Sequence, residues 1–265
     1  MDYQTLSLVA DGRGVLTLTL ERPEKRNALS SLMIAELSHA LDAATQHGGA
    51  RVLVLTGRGV AFCAGGDLDW MRQQFSATRA ERMDEARKLA TLLCQLNELP
   101  LPVIARVAGD AYGGGVGLLC TADVVVASDQ ARFGFTETRL GLIPATIGPY
   151  VIARLGEGVA RRVFMSGRIF AADEAVRLGV VSRLCPIGDL DAAVESEIVP
   201  YLAAAAGAVA AAKALARSLG PVIDEAVIEH TIGQLADIWE TDHAREGVGA
   251  FFERRPPSWI KAGEP

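Results

Sequence analysis

A chain of 265 residues, half of them hydrophobic and 22% charged, is long enough for one large domain around a packed core. Its formal net charge of −6 argues against a protein that tracks nucleic-acid phosphates, while leaving room for a local basic patch that meets a phosphorylated ligand. The four cysteines, Cys63, Cys94, Cys120 and Cys185, have no paired metal-ligand spacing and are expected as reduced thiols of a cytoplasmic protein.

The N-terminal "MDYQTLSLVADGRG" lacks a basic region followed by an apolar one, so no signal peptide is expected. "GVLTLTLERP" alternates Leu16, Leu18 and Leu20 with Thr17 and Thr19, the period of a half-exposed strand. "SSLMIAELSHALDAA" puts Met33, Leu37, Ala40, Leu41 and Ala44 on one helical face. "RVLVLTG" is a short buried strand. "ARKLATLLCQLNELP" predicts a helix with Leu89, Leu92, Leu93 and Leu96 on one face, stopping before Pro100. "PVIARVAG" and "DVVVAS" are two more buried strands, with a glycine loop and a short helix between them. "AADEAVRLGVVSRL" predicts a helix closed by Gly179 and then a strand. Everything after Tyr201 is helical in pattern. The alanine-rich "YLAAAAGAVAAAKALA" has the length of a core helix and carries Lys213, so no membrane span is expected. The pattern is that of an α/β body over residues 1–200 with a helical region over 201–265.

Four stretches carry possible chemistry. In "GDAYGGGVGLLC" the glycines allow close backbone approach and open a helix. A dinucleotide fingerprint fails, because the third glycine would fall at Leu118. The loop is either an oxyanion site built on an N–H near Gly114 or a close helix–strand contact. "GVAFCAGGDLDWM" is a second glycine turn between a buried strand and a helix, so the two turns can supply one N–H each to the same oxygen. There Asp67 reads as a cap or loop brace, and Cys63 as a small buried hydrophobe. In "RFGFTETRLGLIP", Glu137 is either a carboxyl held in an apolar pocket with a raised pKa or a surface partner of Arg139. Lys25, Arg26, Arg254 and Arg255 are either phosphate contacts or a solvated face. The four histidines show no metal spacing, and no metal is expected.

These motifs, in this order, resemble the crotonase (enoyl-CoA hydratase/isomerase) family. The likeness runs from "RPEKRNALS" through "AFCAGGDL", "PVIARVAGDAYGGGVGL" and "FTETRLGLIP" to "SGRIFAADEAVRLGVVSRL" and "EGVGAFFERRPP". The resemblance implies an α/β fold, a spiral of ββα turns, followed by a C-terminal helical trimerisation region. It implies homotrimers that pair into hexamers, and an acyl-CoA thioester as substrate, with coenzyme A part of the substrate and no separate cofactor. By the same resemblance, the N–H groups of Ala64 and Gly114 bind the thioester oxygen. Lys25 and Arg26 lie near the phosphate end of CoA, the backbone of Gly66, Asp67 and Leu68 near the adenine, and Arg254 or Arg255 reaches a neighbour's CoA.

The two-glutamate members of the family carry a glutamate three residues past the oxyanion glycine. Here that position is Gly117, while the second glutamate is present as Glu137. The single-glutamate pattern, with "GGGVGL" and "TETRLGLIPATIGPYV", looks most like hydratases of 3-methylglutaconyl-CoA and isohexenylglutaconyl-CoA. Glycine at 117 removes a charge and is expected to make room for a substrate carboxylate. Trp70, Met71 and Phe75 are expected either to wall a slot for a branched acyl tail or to be helix core. The expected activity is reversible hydration of a 2-enoyl-CoA. The alternative is isomerisation of a 3-enoyl-CoA by Glu137 alone. A third reading, an RNA-binding protein on the same scaffold, runs against the acidic balance.

Overall fold

The protein was analysed as a computed structural model, which describes residues 2–260. An N-terminal hairpin, β1 (Leu6–Ala10) and β2 (Val15–Leu20), leads through helix α1 (Ser31–Gln46) into a repeating path. The path alternates between two sheets: β3 (Val52–Gly57) then β4 (Ala61–Cys63), followed by α2 (Leu68–Ser76) and α3 (Arg79–Glu98). Next come β5 (Val103–Val107), β6 (Asp110–Tyr112) and α4 (Gly114–Thr121), and then β7 (Val124–Ser128) and β8 (Arg132–Gly134). Helices α5 (Gly148–Leu155) and α6 (Glu157–Ser166), strand β9 (Ile169–Ala171), α7 (Ala172–Leu178) and β10 (Arg183–Cys185) complete the sheets. Four helices follow: α8 (Leu190–Ala203), α9 (Ala206–Ser218), α10 (Glu225–Trp239) and α11 (Asp242–Glu253).

The larger sheet runs β1-β2-β3-β5-β7-β10 and the smaller β4-β6-β8-β9. All pairs are parallel except β1–β2 and β8–β9. The pairs β3–β4, β5–β6 and β7–β8 thus each give one strand to each sheet before the next helix. The large sheet is covered on both faces. Leu53, Leu55, Val103, Ala105, Val125 and Ala127 face the main core, while Val52, Val54, Ile104 and Val126 face Leu190, Val194 and Ile198 of α8. Burial on both faces explains why these strands read as continuous apolar runs. In β2 the three leucines are buried and the two threonines half-buried, the alternation expected for it.

The strands of the small sheet are three residues each. At that length no period-two alternation can develop, and none of them is visible in the sequence by pattern. The boundary expected at residue 200 moves: Pro200 lies inside α8, and the backbone breaks at Ala204–Ala205. The alanine-rich run is therefore two helices, bent by 107°, and no single helix among the described residues is long and apolar enough to cross a membrane. Helix α9 buries no residue and is tied down by Lys213, whose Nζ donates to Leu101 O at 3.0 Å and Asp123 Oδ2 at 2.8 Å. Helix α10 packs Ile232 on Ala86 and Ala90 of α3. Helix α11 lies against the Glu137–Leu140 turn so closely that a Cβ on Gly247 would stand 2.4 Å from Leu140 C and O.

Candidate active site

Strands β4, β6 and β8 are adjacent and parallel, so the segments that leave their C-terminal ends emerge side by side. That edge is where ligands sit in open α/β sheets. The three segments are Ala64–Gly66, Gly113–Gly114 and Thr136–Glu137. They wall a cavity of about 560 Å³ that extends under Trp70, Met71, Leu142 and Trp239, a volume typical of a small-molecule site. Its wall is mainly apolar. The charged residues on it are Arg26, Glu137 and Arg139.

The backbone half of the cavity follows from a count of hydrogen bonds. Leu29 N–H donates to Gly65 O at 2.8 Å, and Asp67 N–H donates to Leu29 O at 3.0 Å. This parallel bridge between Leu29 and Gly66 uses the groups on either side of Gly66 and turns Gly66's own N–H away from Leu29. Among the described residues the Gly66 N–H takes no partner, and Gly66 lies on the cavity wall. Gly114 opens α4, so its N–H belongs to the unpaired first turn of a helix, at the positive end of its dipole. The two turns touch: a Cβ on Gly65 would stand 3.0 Å from Tyr112 O and 3.8 Å from the Cα of Gly113. Gly113 has φ 49° and ψ −118°, a region open only to glycine. A Cβ on Gly115 would meet Cys63 O at 2.4 Å. Two unspent N–H groups on turns locked together by glycine contacts form a site for an oxygen that gains negative charge.

This count corrects the expected donor. Ala64 lies on the cavity wall, but its N–H is spent on Arg26 O at 3.0 Å. The free donor is two residues on, at Gly66. The sequence shows a glycine turn there, but the bridge to Leu29 that decides which N–H is free is a long-range contact with no local signal.

The side-chain half holds Glu137, the first residue of a 3-10 turn that closes at Gly141. The residue is half-buried, but its Oε2 is sealed from solvent and finds no partner. Its Oε1 would lie 3.0 Å from a Cβ at Gly113, so the carboxyl stands against the loop that presents the Gly114 N–H. Loss of hydration raises its pKa to about 7, against a smaller opposing pull from its own backbone N–H. Arg139 makes no ion pair with it: no carboxylate of the described residues lies within ion-pair distance of Arg139. A carboxyl that titrates near neutrality beside an oxyanion site is suited to moving a proton at the carbon next to a thioester carbonyl.

Gly117 requires a second correction. It is buried under a side chain and does not line the cavity. A Cβ there would meet Ile147 Cγ2 at 2.3 Å and Cβ at 2.9 Å. The glycine makes room for Ile147, which forms the cavity wall, and not for a ligand. Asp67 is also corrected as a CoA contact. Its N–H goes to Leu29 O and its C=O accepts from Met71 N–H at 2.9 Å. Its carboxylate caps α2 through the N–H groups of Asp69 and Trp70 and pairs with Arg22 at 2.9 Å. Burial alone would raise its pKa, but Arg22 and the two N–H donors outweigh that and hold it below the usual range. It braces the Gly66 turn.

The remaining expected contacts divide. Gly66, Leu68, Trp70, Met71 and Arg26 line the cavity. The Trp70 indole N–H is held by Glu85 Oε2 at 3.1 Å. Phe75 lies off the cavity, packed edge-on to Trp239. Lys25 lies outside it, 3.2 Å from Asp69. Arg255 is taken by Glu246 and Glu253. Burial raises the Cys63 thiol to about 12, which leaves it inert. No group of three or more His, Cys, Asp or Glu among the described residues could hold a metal.

A family model described as "Enoyl-CoA hydratase/isomerase" matches residues 11–262. The chain is similar to 2,3-dehydroadipyl-CoA hydratase of Escherichia coli K12, with 32% identity over 95% of this chain and 97% of that protein. Among solved structures it is similar to an enoyl-CoA hydratase from Shewanella pealeana, with 36% identity, a TM-score of 0.80 and coverage of 97% and 96% of the two chains. It is also similar to Pseudomonas aeruginosa AtuE, with 35% identity, a TM-score of 0.79 and coverage of 97% and 100%.

Proposed function

The chain belongs to the enoyl-CoA hydratase/isomerase family, the crotonase superfamily of enzymes, and from that premise we propose that it hydrates a 2-enoyl-CoA bearing a distal carboxylate, using one carboxyl group, Glu137, for both proton transfers. The observation that carries this reading is the pairing of Glu137 against Gly113 with the free N–H groups of Gly66 and Gly114. The thioester oxygen sits between those two donors. Water attacks Cβ, and the π electrons move through Cα onto the thioester oxygen as an enolate. The neutral carboxyl of Glu137 gives its proton to Cα, and the carboxylate so formed takes up the proton of the attacking water. The carboxyl is therefore neutral at the start and at the end, in both directions.

The place where a second carboxylate would stand is filled by Ile147, which supports a mechanism with one. The carboxylated substrate is supported by Arg139, an exposed residue on the cavity wall with no carboxylate partner among the described residues. It is also supported by the name of the Escherichia coli relative, whose substrate is the CoA thioester of an unsaturated dicarboxylic acid. The subgroup expected from the sequence, hydratases of 3-methylglutaconyl-CoA and isohexenylglutaconyl-CoA, fits the same wall of Trp70 and Met71 for a branched acyl chain. The isomerase alternative is not favoured, because the two relatives above that are named by activity are hydratases. Assembly as a trimer or a pair of trimers remains part of this reading. The test is a panel of enoyl-CoA thioesters with and without a distal carboxylate, followed by loss of the conjugated thioester's ultraviolet absorbance. Arg139→Met should lower kcat/KM about 10–100-fold on the carboxylated members and leave the uncharged ones near wild type. Equal loss on both, or a gain of absorbance from 3-enoyl-CoA only, would overturn it.

A further inference from the structure

The single-carboxyl reading leaves the attacking water without a second group to aim it. Ile147 takes the space over Gly117, and an isoleucine cannot hold water. The residue before it can. Thr146 is 7% exposed and lies on the cavity wall. Its hydroxyl takes no hydrogen-bond partner among the described residues, yet it is not among the polar atoms sealed from solvent. In a residue so buried, the open side is the cavity. A hydroxyl in such a place has both a donor and acceptor sites to offer.

The loop is held for this. Ala145 N–H donates to Ile143 O at 2.9 Å, and Gly148 N–H donates to Ala145 O at 3.0 Å. Ile147, 3% exposed, is locked against Gly117. The backbone around Thr146 is thereby fixed from both sides. Of the other cavity hydroxyls, that of Tyr112 is committed to Asp110 Oδ2 at 2.9 Å. Thr136 is half-buried and adjoins Glu137 in the chain.

Resting on the single-carboxyl reading above, we propose that Thr146 holds the attacking water. Its Oγ1 accepts a hydrogen bond from one O–H of the water. The other O–H points to Glu137, and a lone pair is left for Cβ. As the O–Cβ bond forms, the second O–H breaks and its proton passes to the Glu137 carboxyl, which has given its own to Cα. Thr146 keeps its proton throughout. It is a positioning residue, acting through the water.

The test separates water addition from proton transfer at Cα. Hydration is measured on 2,3-dehydroadipyl-CoA and on crotonyl-CoA. Proton transfer alone is measured as deuterium uptake from D2O into the saturated adipyl-CoA and butyryl-CoA, which needs Glu137 and the two N–H donors but no water addition. Thr146→Val, of the same shape without the hydroxyl, should lose roughly 10-fold or more of the hydration kcat with KM little changed and deuterium uptake retained. Thr146→Ser should restore most of the hydration. Hydration by Thr146→Val at the wild-type rate overturns the proposal. So does an equal loss of hydration and deuterium uptake, or the same split appearing in Thr136→Val in place of Thr146→Val. Glu137→Gln should lose both reactions; if it keeps deuterium uptake, the single-carboxyl reading itself fails, independently of Thr146.

Discussion

The two halves of the cavity are built from different material. The half that, on the proposed reading, faces the thioester oxygen is backbone: N–H groups of Gly66 and Gly114, fixed by glycine contacts in which a single Cβ would collide with the opposite strand or loop. The half that, on the same reading, faces the reacting carbons is side chain: Glu137, Thr146 and Ile147 on two turns after β8. Apart from proline, a substitution leaves the backbone donors in place, so that half is suited to one task, the stabilisation of negative charge. Side chains can be exchanged one for another, and the pair Gly117 and Ile147 shows such an exchange: a small residue under a large one where a carboxylate would need space and hydration. On that reading the chemistry of this chain is set by its second half.

The comparison is broken most severely by removing the one carboxyl. Glu137→Gln keeps the shape and removes the exchangeable proton, and general acid–base catalysis contributes about 10²–10⁴-fold. Hydration should fall by that factor while acyl-CoA binding, measured by calorimetry, persists. A variant that keeps a third or more of the wild-type kcat removes Glu137 from the mechanism.

The backbone half is probed by Gly114→Pro. Gly114 is the first residue of α4, a position that accepts proline, and the nearest atom to a new Cβ is the flexible end of Leu29, at 2.9 Å. Loss of that N–H should cost about 10²–10³ in kcat, in hydration and in deuterium uptake alike, because both develop charge on the same oxygen. Normal turnover in a folded variant would take Gly114 out of the oxyanion site.

The third prediction sharpens the contrast. Gly117→Glu alone collides with Ile147 and should destabilise the fold by about 1–3 kcal/mol or more, read as a fall in Tm. The double variant Gly117→Glu with Ile147→Gly removes the collision and sets a second carboxylate in the cavity. It should recover part of the lost Tm and shift the ratio of kcat/KM in favour of crotonyl-CoA over 2,3-dehydroadipyl-CoA, since two carboxylates in one cavity repel. A double variant no more stable than the single one would mean that Ile147 is not what Gly117 accommodates.

Much of this arrangement is legible in the sequence, and the division follows the range of the interactions. The strands of the large sheet and helices α1, α3 and α7 show in local periodicity, because each buries a regular face. Both glycine turns and Glu137 stand out by residue type. Three features stay hidden because they are contacts across the fold. The choice of Gly66 over Ala64 as donor depends on hydrogen bonds to Arg26 and Leu29. The role of Gly117 depends on Ile147, 30 positions later. The small sheet depends on the pairing of strands too short to carry a pattern.

The central claim is that one carboxyl, neutral at the start of each turnover, carries both protons. The pH dependence of kcat/KM tests it most directly, since kcat/KM reports the free enzyme's titration and burial places Glu137 at about 7. The sign follows from the form each reaction needs. Hydration starts from the neutral carboxyl, so its kcat/KM should be level at low pH and fall as pH rises through about 7. Dehydration should fall in the same way. Deuterium uptake into the saturated thioester starts from the carboxylate, so it should rise through the same pH. Opposite slopes with a shared midpoint are the predicted result. Hydration that holds level or rises from about pH 6 to about pH 8, while deuterium uptake rises, would contradict the account and require a separate base for the water.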